Sequence, residues 1–194
     1  PNYAIAHNNL GVALQELGRL GEAEASYAKA ISLDPALGEA YNNLATAQTE
    51  LGSLGAAENS YLRAIKLAPN SAEVLRNFAN SATQFDPESE AVAQMREVYR
   101  NPHVTGHDRC QICFALAKVS QDLEDYASAF QYFAEGNALR KKQLGYDIKT
   151  DVELFANLKA SYRKLVTHIP PQKAENSTII PVFIVGMPRS GTTL

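Results

Sequence analysis

Residues 8–35 read NNLGVALQELGRLGEAEASYAKAISLDP, and residues 42–69 answer with NNLATAQTELGSLGAAENSYLRAIKLAP. The two align without a gap at a step of 34 residues. Pro1, Pro35 and Pro69 keep the step, as do Ala23, Ala57 and Ala91, and Ala30 with Ala64. At the large positions Tyr27 and Tyr61 are followed by Met95, and Leu10 and Leu44 by Phe78; Gly11 is followed by Ala45 and Ala79. A fixed period of this length marks one supersecondary unit copied along the chain. Gly11 and Ala23 fall on successive helices of a unit, where small side chains let two backbones approach. Tyr27 and Leu10 are expected to fill the space around that contact, and Pro35 to end the second helix. Each pair leaves an apolar face that only a neighbouring pair can bury, so the units stack into an all-α superhelix.

This pattern resembles the tetratricopeptide repeat (TPR), with units at 4–37, 38–71 and 72–105. The third is weaker, carrying Val98 where Ala30 and Ala64 stand. The fourth, at 110–143, is offset: Ala117 stands 38 residues after Ala79, and Ala129 stands 38 after Ala91. About four residues are therefore inserted around Asn101 to Gly106, where Pro102 and Gly106 predict a loop. Phe133 holds the large position of this unit. The solenoid is expected to span 1–145, and Pro1, at a closing-proline position, predicts that the array continues upstream.

Beyond it, 146–178 reads as one more helix and a linker. Thr150 and Glu153 have capping-box spacing, and Val152, Phe155, Leu158, Tyr162 and Leu165 recur at helical intervals. His168 to Thr178, with Pro170-Pro171, is predicted to be the linker.

Asn9, Asn43 and Asn77 also keep the 34-residue step, on the first helix of each pair. An amide donates and accepts at once, which suits the backbone of an extended peptide. It equally suits tying adjacent helices together, and spacing alone leaves both uses open. The row resembles the asparagine ladder of O-linked N-acetylglucosamine transferases, and that likeness implies a protein or peptide bound in the concave groove. Ala115 replaces the amide in the offset fourth unit.

Composition changes at Ile179. Ile-Ile-Pro-Val-Phe-Ile-Val reads as a buried strand running into Gly186-Met-Pro-Arg-Ser-Gly-Thr-Thr-Leu194. Gly186 and Gly191 allow a tight turn whose N–H groups can converge on an anion, and Thr192 and Thr193 open a helix. Gly186, Gly191 and Thr193 match the Walker A spacing, but Thr192 stands where its lysine belongs, and Arg189 supplies the loop's cation. That argues against an ATPase or a kinase.

Pro188-Arg-Ser-Gly-Thr-Thr-Leu after an apolar run resembles the 5′-phosphosulfate loop of sulfotransferases. The arginine version is similar to tyrosylprotein sulfotransferases and to bacterial proteins that fuse TPRs to a sulfotransferase domain. The likeness implies that 179–194 begins a P-loop-type α/β domain and that the chain is the N-terminal part of an enzyme using 3′-phosphoadenylyl sulfate (PAPS), with no metal. Arg189, Ser190, Gly191, Thr192 and Thr193 would hold the phosphosulfate. Arg189 would also stabilise charge building on the transferring group. The acceptor would be a hydroxyl, with a protein recruited by the repeats as one source of it. The general base and the 3′-phosphate site would lie downstream of Leu194, leaving these 194 residues inactive alone. The likeness to bacterial fusions implies a cytoplasmic protein. The competing expectation is a non-enzymatic TPR scaffold with a vestigial loop.

Apolar residues at 45%, charged residues at 20% and a net charge of −3 suit a folded domain and lack the basic excess of a nucleic-acid binder. No apolar run approaches the ~20 residues of a membrane span. His103, His107, Cys110 and Cys113 have ligand chemistry, but Cys113 falls at the inward position of His7 and Tyr41, so a core role is expected and no metal.

Overall fold

Eight helices pair off in sequence order in a computed structural model that describes residues 3–168. The pairs are α1 (Ala4–Glu16) with α2 (Leu20–Leu33), and α3 (Gly38–Glu50) with α4 (Leu54–Leu67). They continue with α5 (Ala72–Ser81) and α6 (Glu90–Arg100), then α7 (Gly106–Asp122) and α8 (Tyr126–Leu144), although α5 packs mainly on α7 and only lightly on α6. A ninth helix, α9 (Ile148–His168), belongs to a second unit that begins after Tyr146. The strand and loop expected at 179–194, and the linker from 169 onward, lie outside the described residues.

The small positions of the repeat explain the pairing. Ala23, Ala57, Ala45 and Ala79 are fully buried, and Ala91 nearly so. At Gly11 the approach is closest: a Cβ there would lie 2.5 Å from the Tyr27 ring. Position 11 therefore excludes any side chain while Tyr27 keeps its place.

The large residues knit one pair to the next. Leu44 packs on the cluster of Leu14, Ala23, Tyr27 and Ala47, and Phe78 meets Tyr61 edge-on with ring centroids 6.3 Å apart. Leu10 corrects the expectation. It is 50% exposed, because this position packs on a preceding pair and none covers it among the described residues.

Three turns share one device. In the first, Gly18 (φ 73°) lets the Arg19 N–H reach Leu14 O at 2.9 Å, and in the second Gly52 (φ 78°) lets Ser53 reach Gln48 O at 2.8 Å. This is the Schellman closure, which needs a left-handed residue. In the fourth unit Glu124 takes that place at φ 61°, with the Asp125 N–H on Ser120 O at 2.9 Å. A side chain there costs about 1–2 kcal/mol, partly offset by the greater unfolded-state freedom of glycine. Glu124→Gly should therefore stabilise the protein by about 0.5–1 kcal/mol, read as a higher urea midpoint at unchanged slope. A lower midpoint would refute it.

The third unit departs from its neighbours. Residues 82–89 join α5 to α6, where the other pairs use three-residue turns, yet the period survives because α5 and α6 have only 10 and 11 residues. Pro87 cannot continue a helix, Asp86 Oδ1 accepts from the Glu88 N–H at 2.9 Å, and Phe85 packs edge-on against Phe78.

Two boundaries move. The four added residues before the fourth unit are helix, not loop. The connection is 101–105, and α7 starts at Gly106 with 17 residues where α1 and α3 have 13. Likewise α9 begins at Ile148, so Thr150 is inside it. Asp147 caps that end, its Oδ1 accepting from the Lys149 N–H at 3.0 Å and its carbonyl from the Thr150 N–H at 3.1 Å. Val152, Phe155, Leu158 and Tyr162 of α9 are exposed.

Candidate functional site

The first helices of the pairs, α1, α3 and α5, carry most of a concavity of about 420 Å³. It is polar. Asn42, Asn43 and Asn77 form its floor, and Glu16, Glu50 and Glu73 stand around it.

Asparagine doublets organise that floor. Asn8 is 1% exposed and Asn42 is 6% exposed, and each accepts from the next repeat: Asn43 Nδ2 donates to Asn8 Oδ1 at 3.1 Å, and Asn77 Nδ2 to Asn42 Oδ1 at 3.2 Å. Asn43 and Asn77 thus tie adjacent repeats while they line the groove. Asn9 is exposed and is not among the lining residues.

The fourth unit keeps this geometry one turn early. Arg76 holds the position of Asn8 and Asn42, and its Nη1 donates to Gln111 Oε1, while Gln111 Nε2 meets His107 Nε2 at 2.8 Å. Gln111 stands 34 residues after Asn77, so the extra turn of α7 lets an amide reach the row although Ala115 is buried.

Around the floor the charge is negative, and among the described residues no lysine or arginine lines the concavity. Gln15 Nε2 donates to Glu50 Oε1 at 2.8 Å, and Gln15 Oε1 accepts from the Tyr27 hydroxyl at 2.9 Å. Burial first, and then the charges of Glu50, Glu16 and Glu39, push the Tyr27 phenol up to about 12. The three ion pairs among the described residues, Arg19–Glu22, Arg109–Glu135 and Lys118–Asp122, use none of the lining carboxylates.

Cys110 and Cys113 are core side chains. Cys110 Sγ donates to Gly136 O at 3.4 Å, and Cys113 is fully buried, its thiol pushed up to about 12 chiefly by burial. Such a thiol stays protonated and unreactive at neutral pH. Among the described residues no three His, Cys, Asp or Glu side chains converge as metal ligands would, and no helix is long and apolar enough to cross a membrane. Arg189, Ser190, Gly191, Thr192 and Thr193 lie outside the described residues.

Residues 4–37 and 38–71 each match the family model of the tetratricopeptide repeat. A curated relative, an uncharacterized protein of Aquifex aeolicus (strain VF5), is 31% identical over 112 residues. That match covers 54% of this chain and 14% of the relative's length. Among solved structures, MamA is similar at a TM-score of 0.59 and 20% identity, covering 75% of this chain and 83% of that one. PilF of Pseudomonas aeruginosa is similar at 0.59 and 20%, covering 88% of this chain and 78% of that one. The Cut9–Hcn1 hetero-tetramer of the APC/C is similar at 0.59 and 21%, covering 86% and 31%. At these identities the likeness establishes the solenoid fold.

Proposed function

We propose that these tetratricopeptide repeats recruit a protein segment to a PAPS-dependent sulfotransferase of which this chain is the N-terminal part. The observation that carries the recruiting role is the amide-floored concavity across α1, α3 and α5. Most of its lining side chains are polar, and its asparagines are held in register by bonds between repeats, so a bound peptide meets a surface already organised. Repeat arrays present extended concave faces of this kind to partners.

Support for the chemistry comes from sequence alone. The run Ile179 to Val185 and the loop Gly186 to Leu194 have the composition of a strand feeding a phosphosulfate cradle. On this reading Arg189, Ser190, Gly191, Thr192 and Thr193 bind PAPS; the S–O bond to its 5′-phosphate breaks as the sulfuryl group passes to a hydroxyl of the recruited protein, 3′-phosphoadenosine 5′-phosphate leaves, and the hydroxyl proton goes to a general base.

The experiment uses the protein that carries this chain, PAPS labelled with radioactive sulfur, and a set of candidate acceptor proteins. Label should appear on an acceptor, and excess isolated array (residues 3–146) should suppress it by competing for that acceptor. Absence of transfer would leave a TPR scaffold without this reaction. Transfer untouched by excess array would remove the recruiting role.

A further inference from the structure

The asparagine row is left incomplete where it lines the concavity. In the first repeat the floor is closed: Asn8 Oδ1 accepts from Asn43, and Asn8 Nδ2 donates to Glu39 Oε1 at 3.1 Å. One repeat on, Asn42 and Glu73 stand at the positions of Asn8 and Glu39, each 34 residues later. Asn42 Oδ1 takes its bond from Asn77, but among the described residues Asn42 Nδ2 and the Glu73 carboxylate have no hydrogen-bond partner. The Asn42 side chain is 6% exposed and lines the concavity, and its Nδ2 is not sealed from solvent. A donor fixed at a groove floor and left to water is free to pair with an acceptor from a bound segment. The amide oxygens of Asn43 and Asn77 are likewise open on the same floor.

Charge says which kind of segment fits. Glu16 and Glu50 repeat at 34 residues at the C-terminal ends of α1 and α3, and Glu73 stands near the start of α5. Among the described residues no lining cation opposes the field of these carboxylates. Neighbouring helix axes lie about 10 Å apart, which an extended chain crosses in about three residues.

We propose that this groove selects a basic polypeptide segment in extended form. Asn42 Nδ2 and the amide oxygens of Asn43 and Asn77 pair with its backbone, Glu16 and Glu50, at matching ends of adjacent helices, receive lysine or arginine side chains spaced about three apart, and Glu73 at the start of α5 adds negative charge for a further basic side chain. This rests on the reading of the groove as a protein-binding surface and adds what the partner must carry.

The test is fluorescence anisotropy on the full chain with three labelled nonapeptides: Gly-Gly-Arg, Gly-Gly-Gln and Gly-Gly-Glu, each repeated three times. The arginine peptide should bind about ten-fold tighter than the glutamine peptide, the yield of a few exposed ion pairs. The glutamate peptide should bind weakest. The triple variant Glu16→Gln, Glu50→Gln and Glu73→Gln should erase the preference, while Gln at position 50 keeps an acceptor for Gln15. Should that variant melt early, salt decides on the native chain: raising it from 0.05 to 0.5 M should shrink the preference.

Equal binding of the arginine and glutamine peptides would overturn the charge selection and leave the peptide groove standing. A preference that survives in the folded triple variant, or that salt leaves unmoved, would overturn the assignment to these carboxylates. Failure of all three peptides to bind would overturn the peptide-groove reading itself.

Discussion

Tyr27→Ala is expected to cost about 4 kcal/mol, the loss typical of emptying a buried aromatic site. The side chain is fully buried, and its hydroxyl donates to Gln15 Oε1. The opposite wall is Gly11, which has no side chain to lean into the void, so the cavity cannot collapse cheaply. Leu14, Ala23, Ala47 and Leu44 line the same cluster, so the damage spans α1, α2 and the facing side of α3. In a repeat array each unit contacts only its neighbours, and the loss stays local. Hydrogen exchange should show α1 and α2 opening early while α7 and α8 keep their protection. Tyr27→Phe, which removes only the hydroxyl, should cost about 1 kcal/mol. A Tyr27→Ala melt indistinguishable from the native one, or protection lost evenly along the array, would contradict this account.

That locality explains why so much of the solenoid was legible in the chain. Gly11, Ala23, Tyr27 and their 34-residue copies are constrained by one contact between two backbones, and the same contact recurs in each unit. What the period does not record is how residues are shared between helix and turn. In the third repeat the spacing from Pro69 onward is kept, yet Pro87 and the Asp86 turn move residues out of helix and into the connection. At Thr150 the capping-box pattern was present, but Asp147 offers its carboxylate three residues earlier and closes the helix first. Leu10 is exposed against its pattern because burial belongs to the neighbour that covers a residue, which its own unit does not encode.

The groove was half legible. Asn9, Asn43 and Asn77 were visible as a row, but the organising partners are the residues just before them, Asn8 and Asn42. The doublet itself carries the signal: of two amides in succession, the first is buried and accepts from the next repeat, and the second lines the groove and donates back to the preceding repeat. Glu16 with Glu50 and Glu39 with Glu73 carry the same step and went unread, since single carboxylates on helix ends look like ordinary solvated surface. Ala115 suggested that the row stops. It continues through Gln111 because four residues are close to one helical turn, and a side chain one turn away lies on the same face.

Glu135→Ala should cost about 2–3 kcal/mol, and the pH dependence of stability should change at both ends. Glu135 on α8 accepts from Arg109 Nε at 2.7 Å and from the Tyr99 hydroxyl at 2.7 Å, and Arg109 Nη1 donates to the Tyr99 carbonyl at 2.6 Å. The guanidinium lies 4.0 Å from the Tyr99 ring centroid, so one carboxylate fastens α6, α7 and α8. Side-chain exposures of 24% and 35% place the ion pair between the surface and buried limits, well above an ordinary surface pair and below a sealed one. Burial alone would raise the Glu135 carboxyl, but donation from Arg109 and Tyr99 outweighs it and holds the group below the usual range. A depressed carboxyl contributes stability above its unfolded pKa and loses it as pH falls through the folded value. The Tyr99 phenol runs the other way. Its bond to Glu135, then burial, pushes it up to about 12, so its contribution is intact below the ordinary value of 10.0 and fades as pH rises toward 12. Cys113, raised mainly by burial from 9.0 to about 12, adds to the same alkaline decline. The gap in melting temperature between native protein and Glu135→Gln, followed from pH 3 to 11, should therefore shrink as pH falls toward the acid end and the native carboxylate begins to take up its proton. The gap should be widest near neutrality and narrow again above pH 10, because the variant's Tyr99 has lost the chief cause of its shift. A gap that stays constant across the whole range would mean that Glu135 acts by packing and not by charge.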